Sequence, residues 1–491
     1  MAMMRMYPFQ KAVERALSEG HNVILQAPTG SGKTLAALRP FLRAVNPDRP
    51  TPPDQFPRKC IYSVPMRVLA NQFEDEYRRS LRRLGMQHEI PISIQTGEHP
   101  DDPRFEAALI FATIDQTLSS FLHVPYGLSQ RQANLNAGAI ISSYLVFDEF
   151  HLFGPDDMLP TTLAMLRMLR DTTPFILMTA TFSRQMLRDL ADWLGAVVIP
   201  DEEAGPEDDA SREQMLALPP QQNKERVFHA HDASLTAEAV LAHQGQRTLC
   251  VCNTVARAQA LYQELKQALA GDDTRVTLLH SRFYRKDREA KEQVIRKVFG
   301  ESVESYTGPP HILVATQVVE VGLDITSEVL HTELAPAATI LQRAGRCARR
   351  EGERGEVHVY LPRYPEGHEH AGESDYAPYY LPGREKSMAR GKKLCDATWE
   401  ALQSGEFTGR HMDFELEQRF IDEVHTPVDQ EIMEWVCRNE SKRLSDMLKT
   451  MESADYGRAP DLIRNTGDTR FVFIHPAPER EPKLQRNPWH Y

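Results

Sequence analysis

The chain has 491 residues and a formal net charge of −12 at pH 7, and 41% of its residues are hydrophobic and 26% charged. This composition is typical of a globular protein with two or three domains and excludes fibrous and disordered classes. No apolar run is long enough to span a membrane, and the N-terminal stretch lacks the apolar core of a signal peptide. The six cysteines are scattered, which favours reduced thiols. We therefore expect a cytoplasmic protein with no membrane partner.

A short apolar strand, a glycine-rich turn and a helix-forming run follow one another around HNVILQAPTGSGKT, residues 21–34. Gly30 and Gly32 permit a tight loop whose backbone N–H groups bind phosphates at a helix N-terminus. Lys33 can reach the β- and γ-phosphates of ATP, and the Thr34 hydroxyl can bind Mg²⁺. A P-loop usually has glycine where Ala27 stands, but the pattern still predicts an ATP site. Its predicted nucleotide-binding residues are Ala27, Pro28, Thr29, Gly30, Ser31, Gly32, Lys33 and Thr34.

Two acids and a histidine end the apolar run in YLVFDEFHLFG, residues 144–154. A carboxylate that leaves water must be paired or coordinated. A P-loop needs a second acid on a neighbouring strand to hold Mg²⁺, and Asp148 has that position. Glu149 is then placed to orient or deprotonate the attacking water. A solvated acidic turn is the alternative, but the upstream P-loop makes a nucleotide site the better explanation.

Short apolar runs alternate with helix-length segments in two series. Buried-looking strands separated by helices predict parallel α/β sheets. The acidic, proline-containing stretch 200–225 separates the two series and is typical of a linker. The first series is 23–25, 60–64, 109–112, 144–147 and 175–178, and the second is 248–252, 276–279, 311–315, 329–334 and 357–360.

The order of short motifs along residues 5–360 resembles that of superfamily 2 helicases of the D-E-x-H group. The motifs are YPFQ (7–10), YSVPMRVLANQ (62–72), QTGE (95–98), FATIDQ (111–116), MTATFS (178–183), LCVCNTVARAQ (249–259), LLHSRF (278–283), VATQVVEVGLDI (314–325) and ILQRAGRCARR (340–350). The resemblance implies an α/β fold of two tandem RecA-like P-loop domains with parallel sheets and a mainly helical C-terminal accessory domain. The expected bounds are 1–205 for the ATP-binding domain, 206–362 for the helicase C-terminal core and 363–491 for the accessory domain.

The resemblance also implies roles at the ATP site. Gln10 would read the adenine, and Gly322 and Asp324 would line the nucleotide. Gln342 would lie near the D-E-x-H segment, and Arg346 and Arg349 would approach the γ-phosphate, since an arginine from a second domain can complete a phosphoryl-transfer site. On a helix, the spacing of three would put Arg343, Arg346 and Arg349 along one face. The predicted catalytic residues are Lys33, Asp148, Glu149, Gln342, Arg346 and Arg349, with ATP and Mg²⁺ as cofactors.

Nucleic-acid contacts follow from the same resemblance. A motor that moves over any sequence must contact phosphates rather than base edges. The cluster YRRSLRR, residues 77–83, is either a solvated helix face or a phosphate-tracking patch. The residues at family positions near the strand backbone are Arg67, Thr96, Thr113, Gln116, Asn253, Thr254, His280 and Thr316.

Two segments, TQVVEVGLDI and LAPAATILQRAGRCARR, most resemble the CRISPR-associated helicases of type I interference systems. That family typically carries an HD nuclease domain before the helicase, whereas here the glutamine motif begins at residue 7. The pair His231–Asp232 has no evident companions for a nuclease metal site. We therefore expect a stand-alone helicase that translocates on single-stranded DNA, serves a CRISPR RNA-guided effector complex and feeds DNA to a separate nuclease subunit. An RNA or DNA helicase of another branch, and an ATP-gated nucleic-acid clamp that does not translocate, remain alternatives.

Overall fold

The fold is seen in a computed structural model, which describes residues 6–28, 31–45, 56–66, 70, 74, 77–78, 90–97, 99–200, 224–300, 306–320 and 322–464. Most of the predicted linker, residues 201–223, therefore lies outside the described residues. The strands form two sheets, and the strand pairs with assigned register are parallel, which confirms the predicted α/β class. Among the described helices, none is both long and apolar enough to cross a membrane.

The first sheet has the strand order β3-β4-β2-β5-β6-β1-β7. Its central strands are buried along their whole length because helices cover a parallel sheet on both faces. In chain order the strands are β1 (Asn22–Gln26), β2 (Cys60–Val64), β3 (Ile92–Gln95), β4 (Leu109–Thr113), β5 (Tyr144–Phe147), β6 (Phe175–Thr179) and β7 (Ala196–Ile199).

The second sheet has the strand order β10-β11-β9-β12-β13-β8. One of its faces packs with C-terminal helices into a continuous apolar core that contains Phe228, Leu330, Phe407 and Phe420. In chain order the strands are β8 (Glu225–His231), β9 (Arg247–Val251), β10 (Arg275–Leu279), β11 (His311–Ala315), β12 (Val329–Glu333) and β13 (Arg354–Tyr360).

Helices connect the strands, and local signals define several of their ends. Ser183 caps one helix by accepting a hydrogen bond from the Met186 N–H at 3.2 Å, and Gly195 ends it with φ of +63°. The helices are α1 (Pro8–Ser18), α2 (Lys33–Val45), α3 (Ile114–Phe121), α4 (Ala133–Ile141), α5 (Met158–Leu169), α6 (Arg184–Leu194), α7 (Ala237–Ala242), α8 (Val255–Ala268), α9 (Arg285–Phe299), α10 (Ala337–Ala344), α11 (Glu385–Gln403), α12 (Phe414–Ser453) and α13 (Ala459–Ile463).

The described residues group into two compact units. The first lies within Met1–Phe56, Phe147–His151 and Phe175–Cys437, and the second within Pro57–Val146, Leu152–Pro174 and Arg438–Tyr491. The P-loop, the D-E-x-H segment and the whole second sheet thus belong to one unit. The C-terminal region is mainly helical, as expected, and is shared between the two units.

The first part of α12 forms hydrogen bonds with the segment that follows strand β6 and with the start of helix α10. The Asp429 carboxylate accepts hydrogen bonds from the Ser183 N–H at 3.2 Å and the Ser183 hydroxyl at 2.6 Å, just after β6. His425 Nε2 accepts one from the Ala338 N–H at 3.2 Å, at the start of α10. Burial raises the pKa of Asp429 to about 6, and the two hydrogen bonds from Ser183 oppose that rise. Helix α12 is therefore hydrogen-bonded both to the residues that follow β6 in the first sheet and to α10. Helix α10 in turn follows β12 of the second sheet.

Candidate active site

The P-loop joins β1 to α2 in the first compact unit. Gly32 has φ of +91°, a conformation in which side chains are strained, and a Cβ there would meet Gln10 Nε2 at 2.9 Å. Thr29 and Gly30 lie outside the described residues. Lys33 begins α2, and its side chain is buried with Nζ donating no hydrogen bond to any described residue. The Ser31 hydroxyl is likewise buried without a hydrogen-bond partner among the described residues.

These two orphaned donors fit a phosphate group. A buried ammonium without a partner is unfavourable, so an anion is needed beside Lys33. The position at the N-terminus of α2, next to backbone N–H groups, is where phosphates bind. Thr34 follows Lys33, and Asp148 is buried at the end of β5, so these two residues are the ones that would hold Mg²⁺. Bound Mg²⁺ would supply neutralising charge to the phosphates.

Glu149 adopts a strained backbone conformation directly after Asp148. Its φ is +48°, in the left-handed region that a glutamate rarely occupies, and its N–H donates to Asp148 Oδ1 at 2.9 Å. Burial would raise the pKa of Glu149, but a set of positive charges led by Lys33 and including Arg346 and Arg349 holds that pKa below its ordinary value. The carboxylate is therefore ionised at neutral pH. Strain of this kind persists where the surrounding structure fixes it, as at active sites.

His151 connects the D-E-x-H segment to helix α10, which follows strand β12 of the second sheet. Burial lowers its pKa to about 4, so the imidazole is neutral. The Gln342 side-chain amide of α10 is hydrogen-bonded to His151 Nε2, which must then act as acceptor and leave the proton on Nδ1. Nδ1 lies 3.3 Å from the Thr179 hydroxyl and 3.6 Å from Glu149 Oε2. A neutral histidine thus lies between Glu149, Thr179 at the end of β6 and helix α10.

Arg346 and Arg349 are both held by polar groups near the end of α10. Arg346 Nε donates to the Val319 carbonyl at 3.0 Å, and Arg349 Nε donates to Asp324 Oδ1 at 2.7 Å. Burial, together with the nearby Arg349, lowers the pKa of Arg346. The lowered pKa indicates that the nearby acidic side chains do not fully balance burial of the Arg346 charge and its repulsion by Arg349. An incoming phosphate anion would compensate it.

The three arginines of QRAGRCARR do not share one helix face, which corrects the expectation from spacing. Helix α10 ends at Ala344, and Ala348 has φ of +44°, so the chain turns before Arg349. Arg343 points into the core, where it is fully buried and donates to Glu320 Oε1 at 2.8 Å. The spacing rule failed because the helix is only eight residues long. Arg343 is therefore a structural anchor for α10.

Gln10, Gly322 and Asp324 were predicted to contact the nucleotide. Gln10 is buried, accepts a hydrogen bond from the Tyr7 N–H at 3.1 Å and donates to the Gly32 carbonyl at 3.2 Å. It thereby joins α1 to the P-loop. Gly322 has φ of +86°, and Asp324 binds Arg349 as described. Direct contact of these three residues with ATP stays a prediction.

In the second unit, the described residues predicted to contact nucleic acid have buried side chains, and two of them form hydrogen bonds with nearby residues of the same unit. The Thr96 hydroxyl accepts a hydrogen bond from the His99 N–H at 3.2 Å, and Gln116 Oε1 accepts one from Gln95 Nε2 at 3.4 Å. Thr113 is buried before α3. Arg67 lies outside the described residues, as does most of the cluster 77–83, of which Arg78 pairs with Glu74 at 2.7 Å.

The candidates of the first unit behave similarly. Asn253 is buried and donates to the Leu334 carbonyl at 2.7 Å, and Thr254 caps α8 by accepting from the Arg257 N–H at 3.3 Å. His280 and Thr316 are buried as well. These side chains lie in the loops that follow β9, β10 and β11. Their role in strand binding stays a prediction.

The side chains of His231 and Asp232 contact different residues in this fold. Asp232 forms an ion pair with Arg363, and His231 Nε2 lies 3.0 Å from His358 Nδ1. The two side chains are thus engaged with different partners. Two residues to which the sequence analysis assigned no role stand beside the candidate site: His151, which is visible in the D-E-x-H motif, and Asp429, for which the sequence carries no signal.

Two family models match the chain. One, described as DEAD/DEAH box helicase, matches residues 7–190, and the other, described as CRISPR-associated nuclease/helicase Cas3, C-terminal, matches residues 244–352. A putative CRISPR-associated nuclease/helicase Cas3 from Methanocaldococcus jannaschii is 28% identical over 388 residues, which cover 72% of this chain and 49% of that protein. The chain therefore spans about half the length of that relative.

Solved structures share the fold. The crystal structure of T. fusca Cas3 with ATP has a TM-score of 0.65 at 20% identity and covers 97% of this chain and 58% of that one. A chain of a CRISPR RNA-guided surveillance complex in a pre-nicking state has a TM-score of 0.59 at 21% identity and covers 91% of this chain and 54% of that one. The similarity to these structures is a similarity of fold, and it confirms the expectation of two tandem RecA-like domains.

We predict that the variants Lys33→Ala and Glu149→Gln separate ATP binding from turnover. Lys33→Ala removes the charge that meets the β- and γ-phosphates, so both binding and hydrolysis should be lost. Glu149→Gln keeps the shape of the side chain but removes the carboxylate that orients water, so ATP should bind while hydrolysis falls by about 10²-fold or more. A fluorescent ATP analogue and phosphate release measure the two steps. Wild-type turnover in Glu149→Gln would exclude the assigned role.

We predict that Arg346→Ala and Arg349→Ala lower ATP turnover far more than ATP affinity. A transition-state arginine acts mainly when charge redistributes during transfer, and its loss can cost about 10³-fold or more in rate. Single-turnover hydrolysis beside equilibrium binding measures the difference. Arg354→Ala is the matched control, because that side chain is exposed and pairs only with Glu225 among described acids. Equal losses of binding and turnover would instead indicate simple phosphate anchoring.

Proposed function

We propose that this chain, which matches family models for DEAD/DEAH box helicases and for the C-terminal part of CRISPR-associated Cas3 proteins, couples ATP hydrolysis to movement along single-stranded DNA. The observation that carries the proposal is the buried Lys33 ammonium at the N-terminus of α2, which has no hydrogen-bond partner among the described residues and lies in the same unit as Glu149 and the two arginines that act on the pKa of Glu149. This is a set of cations around an ionised carboxylate, arranged for a phosphate and a water molecule.

The hydrolysis step follows from these groups. A water oriented by Glu149 attacks the γ-phosphorus, the bond to the β–γ bridging oxygen breaks, and ADP and phosphate leave. The water proton passes to Glu149 or to the phosphate. Lys33, Arg346 and Arg349 stabilise the negative charge that spreads over the transferred group.

Movement requires that the nucleotide state reaches the strand-binding loops. The link from Glu149 through His151 to Gln342 and Thr179 supports such coupling, since it joins the proposed water-activating acid to α10 and to the end of β6. We propose that residues 1–205 and 206–362 act as two motor domains and that residues 363–491 act as an accessory domain. Helix α12, bonded beside Ser183 and Ala338, would keep the accessory domain attached during the cycle.

We further propose that the partners are a CRISPR RNA-guided effector complex and a separate nuclease subunit. The similarity of fold to a chain of a surveillance complex supports the first partner. The second follows from the engagement of His231 and Asp232 with other residues, because phosphodiester cleavage usually needs two metal ions held by clustered ligands.

We predict that single-stranded DNA stimulates the ATPase of the full chain and that RNA does so much less. A strand that fits the loops shifts the protein toward its closed, hydrolytic arrangement, so the rate should rise about tenfold or more with DNA. Strand displacement of a fluorescent duplex then distinguishes a motor from an ATP-gated clamp, which would hydrolyse ATP without displacing strands. Stronger stimulation by RNA would point to another helicase branch.

We predict that the purified chain does not cut DNA. Labelled single-stranded DNA is incubated with the protein, Mg²⁺, Mn²⁺ and ATP, and its length is followed by gel electrophoresis. Intact DNA is expected, and adding back the nuclease of a type I system should restore cleavage. Degradation that persists through purification and disappears in His231→Ala would place a nuclease on this chain.

A further inference from the structure

Histidine side chains crowd around His358 on β13, away from the candidate ATP site. The ring centroids of His229, His231, His243 and His331 lie 4.8, 5.2, 4.5 and 5.1 Å from that of His358, and all four rings stack on it. None of these side chains has a role in the proposed motor. Imidazole is the commonest protein ligand for transition metals, so these histidines are candidate ligands for a metal ion.

The strand register brings three ligand types together. Strands β8 and β13 pair in parallel with His229 directly opposite His358. Glu356 precedes His358 by two residues, so both side chains lie on the same face of β13. Because β8 is the edge strand of the sheet, this position is open on one side, and the Glu356 side chain is 53% exposed while that of His358 is 3% exposed.

The distances suit a small metal ion. One ligand atom from each of His229, Glu356 and His358 lies within 4.8 Å of the others, and His358 Nε2 is 3.3 Å from Glu356 Oε2. Tetrahedral coordination with metal–nitrogen bonds of about 2.0–2.1 Å places neighbouring ligand atoms roughly 3.3 Å apart. Any wider spacing within the 4.8 Å limit therefore lies between His229 and this pair.

Hydrogen bonds prepare the two imidazoles for this role. His358 Nδ1 lies 3.0 Å from His231 Nε2, an outer contact of the kind that orients a metal-binding histidine, and its other nitrogen, Nε2, faces Glu356. His229 Nε2 is buried and, within the described part of the chain, has no hydrogen-bond partner. A buried ring nitrogen without a partner is unfavourable unless something else occupies it.

We propose that His229, Glu356 and His358 bind one divalent transition metal ion of the Zn²⁺ class, with water in the remaining coordination position. Two imidazoles and one carboxylate form a ligand set that suits Zn²⁺, whereas Mg²⁺ takes oxygen ligands and keeps several waters. The ion would join the edge strand β8 to β13. Its binding would therefore stabilise the end of the second sheet that follows the stretch 200–225.

The test uses the untagged full chain, stripped with a chelator and then equilibrated with Zn²⁺ in millimolar Mg²⁺ and without nucleotide. Bound zinc is counted by mass spectrometry of the metal, Co²⁺ substitution is followed by its visible absorption, and the melting temperature is compared with and without Zn²⁺. We expect one Zn²⁺ per chain, a tetrahedral Co²⁺ spectrum and a higher melting temperature with zinc.

Variants assign the ligands. Glu356→Gln changes an exposed side chain and should fold normally, so its Zn²⁺ affinity should fall at least about tenfold and its zinc-dependent rise in melting temperature should disappear. His229→Gln should behave likewise. His370→Gln is the matched control, because His370 lies near Glu373 at 3.4 Å on an exposed loop outside the group. Absence of bound zinc in the wild type, or equal zinc binding in wild type, Glu356→Gln and His229→Gln, would overturn the proposal.

Discussion

The electrostatic balance around Glu149 is the constraint on which the candidate active site depends. The half-buried Glu149 carboxylate is close enough to Lys33, Arg346 and Arg349 for these three cations to favour its ionised form. Lys33 makes no hydrogen bond to a described residue, and the charge of Arg346 is under-compensated. Burying cations in this way is costly unless an anion joins them. The triphosphate of ATP is an anion of the right charge, and its loss on hydrolysis would disturb every group in the set.

The same balance explains why the elements around the site are fixed so firmly. Arg343 is fully buried against Glu320 and holds α10, so that Gln342 reaches His151. Removal of one partner from a buried ion pair typically costs about 3–5 kcal/mol, so α10 is anchored by an interaction that tolerates little change. Asp429 of α12 anchors Ser183 in the loop after β6. The candidate catalytic side chains are thus positioned by buried polar contacts of Arg343 and Asp429.

The described residues predicted to bind nucleic acid differ from those predicted to bind the nucleotide in the contacts that their side chains make. Thr96, Asn253 and His280 are buried and hydrogen-bonded to other residues of the chain, namely His99, Leu334 and Gln259 respectively. Polar side chains at such positions fix loop shape, and backbone N–H groups at the loop surface can then bind phosphates without regard to base identity. This division suits a motor that moves over any sequence, because shape rather than base readout sets the contact.

The sequence by itself determined the α/β class, the two series of strands, the P-loop and the pairing of Asp148 with Glu149, because these depend on short-range patterns of apolar, glycine and acidic residues. Only the tertiary structure decided how the arginines are used, since the end of α10 at Ala344 and the turn at Ala348 depend on packing against Glu320 and the core. The same holds for His229, Glu356 and His358. Residues 229 and 358 are far apart in the chain, and only the parallel register of β8 and β13 places them side by side. Contacts between distant segments arise from burial and strand pairing, and no local pattern of residues records them.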